Sequence, residues 1–193
     1  MNPESLKNNI IVAAVYISAF EMLKDSIINR LVSMYVNSYD VDNGKIVESI
    51  DTVKYENEIL SLNKRKSPVY ASLEWLKQNN AITEDDVKKF DTMRECRNAL
   101  AHELHKHILE GLNYDVPSLL AEIVALLDKI ETWWIRHFDL AVWADANPHG
   151  DDIIDDEIVP GPIRLKMLIE ISLAPENEAQ RYYDMLKTWT LAK

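Results

Sequence analysis

Within the run FDTMRECRNALAHELHKH, the segment Arg97–His102 gathers an arginine, an asparagine and a histidine onto adjacent helical positions. A guanidinium is a permanent cation with a planar fork of donors. An imidazole exchanges protons near neutral pH, and an amide orients its neighbours. A fixed cation, an orienting amide and a proton carrier are the residue types that phosphodiester chemistry uses. Nothing else in the chain offers a comparable cluster.

The segment that must position them has the pattern of an amphipathic helix. Thr83 is the expected N-cap, with Glu84, Asp85 and Asp86 in the first turn, where carboxylates favour the positive helix end. Val87, Phe90, Met93, Arg97, Leu100 and Leu104 then fall on one stripe. An arginine on an apolar stripe needs compensation, because an unpaired buried guanidinium is very costly. Arg97 must therefore meet a carboxylate, a subunit partner or a cleft open to an anion. Asn98 and His102 are four apart and share a face. Arg97 and His102 are five apart, rotated by roughly 140° on an ideal helix, and so flank Asn98. A bent arginine head, or a helix break near Ala99, would bring the two together.

The bulk composition is that of an ordinary globular chain: 193 residues, 47% hydrophobic and 27% charged. Only 4 glycines and 7 prolines disfavour a turn-rich β sandwich. The lone Cys96 excludes an intrachain disulfide and fits a reducing cytoplasm. Beside Arg97 its thiol could be acidified, although a small buried helix residue explains it as well. The apolar run Ile10–Phe20 is too short to span a bilayer and is followed by Glu21, Lys24 and Asp25, with no cleavage-site pattern. The expectation is a soluble, cytoplasmic protein without a membrane partner.

A net charge of -11 argues against non-specific coating of nucleic acid. The distribution is uneven. Residues 61–107 carry 9 basic and 7 acidic groups, whereas residues 108–193 carry 7 basic and 16 acidic groups. The net-positive stretch is the one that contains the Arg97–His102 segment.

Periodicity predicts a first helix from Leu6 to about Tyr35, with Ile17, Phe20, Ile27, Leu31 and Met34 on one face. Asn37–Gly44 reads as a polar turn, and residues 45–62 as a second helix. Lys64, Arg65 and Lys66 form a basic loop closed by Pro68. A short helix over Val69–Gln78 ends at Asn79 and Asn80. Asp115, Pro117 and Ser118 start a long apolar helix that reaches about Asp145. Trp133 and Trp134 could stack bases, but their setting in this long apolar helix favours a core role. Residues 145–157 hold six acidic groups and no Lys or Arg, the composition of a solvated loop. Two helices near 163–172 and 176–191 finish the chain. The expected organisation is an all-α helical bundle over 1–147, with 148–193 an acidic loop and helical extension packed on the same domain.

The lead-in ITEDDVKKFDTMRECRNALAH, together with YISAFEMLKDSI nearer the N-terminus, resembles the HEPN domain (higher eukaryotes and prokaryotes nucleotide-binding). The resemblance covers roughly residues 6–142 and centres on Arg97, Asn98, three further residues and His102. It implies a metal-independent endoribonuclease, without cofactor, acting as a homodimer through the motif helix. Arg97 would bind the scissile phosphate, His102 would serve as general acid or base, and Asn98 would orient one or the other. Attack by the RNA 2′-hydroxyl would leave a 2′,3′-cyclic phosphate and a 5′-hydroxyl. The resemblance further implies a toxin or phage-defence setting, with an antitoxin or regulatory protein as a possible partner. One branch of the family has a tyrosine two places after the histidine. Leu104 stands there, so control through that tyrosine is not implied.

Secondary substrate contacts would come from Lys64, Arg65, Lys66, Arg94, His105 and Lys106. A zinc-protease reading of HELHKH fails, because Lys106 stands where the second histidine belongs. His102 and His105 could share a metal, but no third ligand is evident, and the sequence predicts no metal site. Two rival readings remain. One is a non-catalytic HEPN-like dimer, a nucleotide-binding, antitoxin-like or partner-binding module that keeps the motif for dimer packing. The other is a helical interaction protein in which the motif is coincidence.

Overall fold

The computed structural model describes residues 3–110, 114–140, 163–174 and 178–181. The described chain is predominantly helical, as the sequence predicts. Its elements are α1 (Pro3–Ser33), β1 (Val36–Asp42), β2 (Lys45–Ile50), α2 (Thr52–Glu58), a 3-10 turn (Leu60–Leu62), α3 (Pro68–Gln78), α4 (Glu84–Glu110), α5 (Val116–Trp134) and α6 (Ile163–Leu173). A π-helical turn over Ile135–Asp139 continues α5. The expected acidic loop over 145–157 lies outside the described residues, as does most of the helix expected over 176–191.

The chain divides into two compact units. The first combines residues 1–21 with 88–193, and the second comprises 22–87. The first unit buries Ala13, Val15, Tyr16, Ala19 and Phe20 of α1 together with Phe90, Met93, Cys96 and Leu100 of α4. Ile123, Leu127, Ile130 and Trp134 of α5 and Leu165 and Met167 of α6 are buried there too. The Phe20 and Phe90 rings lie 5.3 Å apart between centroids. The Tyr16 hydroxyl donates to the Met93 carbonyl at 3.0 Å, a bond that ties α1 to the backbone of α4. Lys166 of α6 reaches Asp128 of α5 at 3.3 Å. In the second unit, Leu23, Ile27 and Leu31 of α1, Ile59, and Ala71, Leu73 and Leu76 of α3 are buried.

Local signals place several helix ends where the sequence expects them. Thr83 and Asp86 make a reciprocal capping box. The Asp86 carboxylate accepts from the Thr83 N–H at 2.7 Å, and the Thr83 hydroxyl oxygen accepts from the Asp86 N–H at 3.3 Å. Asp115 caps α5 by accepting from the Ser118 N–H at 3.3 Å. At the end of α3, Asn80 takes φ +58°. The N–H of Ala81 then returns to the Leu76 carbonyl and that of Asn80 to the Lys77 carbonyl, which satisfies two terminal acceptors.

Two expectations are corrected. Residues 37–50 are neither a polar turn nor the start of a second helix. They form an antiparallel hairpin in which Val41 pairs with Ile46 and Asp42 with Lys45. Asn43 and Gly44 form its two-residue turn, with φ of +50° and +76°. Asn-Gly at the centre of a primed turn matches the right-handed twist of the flanking strands, and the β-branched residues around it favour extended backbone. The helix expected over 45–62 shrinks accordingly to α2 and the 3-10 turn. Met34, expected on the buried face of α1, lies past the helix end and is 48% exposed.

Two buried tyrosines make stability sensitive to alkali. Burial, and then the hydrogen bond to Glu58, push the Tyr35 hydroxyl of the second unit up to about 12 from an ordinary value of 10.0. Burial pushes Tyr16 in the same direction. The folded state favours the neutral phenol in both cases. That contribution is complete below the unfolded value near pH 10 and is lost as pH rises through the folded one. The melting temperature should therefore fall between pH 10 and 12. The fall should be shallower in Tyr35→Phe, as followed by circular dichroism. An equally steep fall in that variant would exclude Tyr35 as a source.

Candidate functional site

α4 runs unbroken through the motif, so no break near Ala99 brings Arg97 and His102 together. Phe90, Met93, Cys96 and Leu100 are fully buried, and Arg97 lies among them along the helix. Of the three compensations open to this arginine, the structure supplies the carboxylate. Arg97 Nη2 donates to Glu21 Oε1 of α1 at 2.5 Å, and the two side chains are 29% and 32% exposed. Arg97 Nη1 donates to Asn98 Oδ1 at 3.2 Å. Its Nε is buried and has no hydrogen-bond partner among the described residues. A guanidinium carries five N–H donors. With one given to Glu21, one to Asn98 and Nε enclosed, a single N–H remains on each terminal nitrogen.

Asn98 and His102 are both exposed and stand one turn apart on α4. Among the described residues, His102 makes no hydrogen bond to Arg97 or Asn98. The structure thus joins Arg97 to Asn98 and leaves His102 on the adjoining open face. An ion-paired but accessible cation, an amide in contact with it and an open imidazole can bind an anion and exchange a proton beside it. The first unit also holds a cavity of about 430 Å³, lined by Val12, Leu120, Val124, Ile169 and Leu173 with Lys166 and Glu170, and no motif residue borders it.

The secondary candidates belong to both units. Arg94 lies on α4, with its side chain 42% exposed and 3.7 Å from Asp91. Lys106 is exposed on the same helix, and the side chain of His105 lies outside the described residues. Lys64, Arg65 and Lys66 belong to the second unit, where all three are exposed and Lys66 lies 3.7 Å from Glu56. Among the described residues no group of three His, Cys, Asp or Glu side chains could hold a metal ion.

Two further expectations are settled by burial. Cys96 is fully enclosed, and burial pushes its thiol up rather than down, so its place beside Arg97 in sequence does not make it reactive. Trp134 is a core residue, as expected. Trp133 is half-buried and stacks on His137 with centroids 4.6 Å apart. His137 Nδ1 lies 2.8 Å from the Trp133 carbonyl. His149 lies outside the described residues.

Glu21 is the residue that sequence reasoning did not find. It lies 76 positions from Arg97, beyond the reach of any periodic pattern. The one available signal was indirect: an arginine on an apolar stripe requires a partner, without saying where that partner lies.

Among the described residues, no helix is long and apolar enough to cross a membrane. Comparisons of the chain with protein-family models, curated proteins and solved structures return no match.

Proposed function

We propose that this chain is a HEPN-like endoribonuclease that works without a metal ion, as a homodimer through α4. The observation that carries the reading is the arrangement along α4: Arg97 held in contact with Asn98 while still reachable from solvent, with exposed His102 one turn beyond. In this reading the remaining Arg97 donors take a phosphate oxygen of the RNA. His102 moves a proton at the 2′-hydroxyl or the leaving 5′-oxygen, and Asn98 orients the groups between them. The 2′-oxygen forms its bond to phosphorus as the bond to the 5′-oxygen breaks. The products are a 2′,3′-cyclic phosphate and a 5′-hydroxyl, and DNA is spared because it lacks the nucleophile. A second copy of α4 across a twofold would bring two such motifs onto one strand. A toxin or phage-defence role, in the cytoplasm and under an antitoxin-like partner, follows from the same resemblance.

One observation favours the rival reading, a non-catalytic HEPN-like module that binds a nucleotide or protein partner. The Arg97 charge is already matched by Glu21, which weakens its attraction for phosphate. Incubating the purified chain with single-stranded RNA in EDTA separates the two. Cleavage to 2′,3′-cyclic ends supports the enzyme. Nucleotide binding without cleavage supports the module, and a monomer by light scattering counts against both.

A further inference from the structure

The ion pair that closes over Arg97 has consequences beyond stability. Glu21 and Arg97 both belong to the first unit, on α1 and α4 respectively. Around them the two helices are locked by the Phe20–Phe90 contact and by the Tyr16–Met93 hydrogen bond, so both backbones are held where the side chains meet. An arginine side chain is long and rich in rotamers, and a solvent-facing one would sample many of them. Here two acceptors hold opposite terminal nitrogens, Glu21 on Nη2 and Asn98 on Nη1, while Nε is enclosed. Two hydrogen bonds at opposite ends of one planar group define its orientation.

We propose that Glu21 is a positioning residue: its carboxylate presets the Arg97 guanidinium so that one N–H on each terminal nitrogen is left for an RNA phosphate. The proposal rests on the ribonuclease reading and deepens it. Glu21 does not touch substrate. It acts through Arg97, much as an outer partner orients a metal-binding histidine, where loss of the partner costs about 10–100-fold in activity. The carboxylate also has an opposing effect, because a negative charge beside the phosphate site repels the ligand. Orientation and attraction therefore pull in opposite directions, and a general loss of fold would not separate them.

The test uses the full chain, a single-stranded RNA of mixed sequence, and the variants Glu21→Ala and Glu21→Gln, each first checked for folding by circular dichroism. Glu21→Ala should lower kcat about 10–100-fold while KM stays level or falls, because the repelling charge has gone. Glu21→Gln keeps an acceptor of the same shape and should fall between wild type and alanine. If Glu21→Ala does not fold, Glu21→Gln carries the test, and a several-fold drop in kcat without a rise in KM is required. A kcat within twofold of wild type in a folded variant overturns the positioning role and leaves the ribonuclease reading standing. So does a rise in KM at unchanged kcat. Absence of cleavage by the wild-type chain overturns the ribonuclease reading, and the role of Glu21 with it.

Discussion

Alanine at His102 should lower the rate of RNA cleavage about 10²–10⁴-fold, the usual contribution of a positioned general acid or base. It should do so with almost no change in stability. His102 is exposed, so its removal opens no cavity and strands no buried partner. Surface changes of this kind stay within about 0.5 kcal/mol. Arg97→Ala should differ in kind. Removing a preorganised cation from the site of developing charge costs about 10²–10³ in rate. It also leaves the half-buried Glu21 carboxylate without its Arg97 partner. The added stability loss is about 1–2 kcal/mol, a modest figure because both side chains remain in touch with water. Cleavage assays in EDTA and thermal melts on the same samples check the pair. Full activity in His102→Ala would remove the histidine from the mechanism. Activity lost together with the fold in that variant would remove the claim that the imidazole stands free of the core.

Phe90→Ala should destabilise the chain by about 3–5 kcal/mol, the cost of deleting a large aromatic side chain from a filled core. Phe90 is fully buried and its ring meets Phe20. Set against a typical total of about 5–15 kcal/mol, that loss is a large share of what keeps a domain folded. The effect bears on the site because Phe90, Met93, Arg97 and Leu100 are successive positions on the face that α4 buries in the first unit. Phe20 immediately precedes Glu21 on α1. A cavity at this contact lets the two backbones shift, and the Arg97–Glu21 geometry shifts with them. Denaturant unfolding should show the large loss in Phe90→Ala, whereas Thr92→Ala, on the exposed side of the same helix, should stay within about 0.5 kcal/mol. Equal effects in the two variants would mean that this face of α4 does not hold the unit together.

The helical content and several helix ends were legible in the sequence because their signals are local. The Thr83–Asp86 box, the Asp115 cap and the Asn79–Asn80 stop each act within a few residues, and periodic apolar stripes act within one helix. The motif was legible for the same reason: Arg97, Asn98 and His102 lie on one element, and their relative placement follows from helix geometry. The hairpin is not legible in the same way, because Asn37–Gly44 reads only as a polar turn. A turn between two helices and a turn between two strands use the same residues. The Val, Ile and Tyr residues flanking it were the clue that separated them.

What the chain could state by itself was that Arg97 needs a counterpart, since desolvating a lone guanidinium costs too much. Which group answers that need was decided in three dimensions, where packing of Phe20 on Phe90 brings a carboxylate from 76 residues away onto one face of the cation. The same enclosure made Cys96 inert despite the charge beside it in sequence, because burial acts through all surrounding atoms and adjacency along the chain does not.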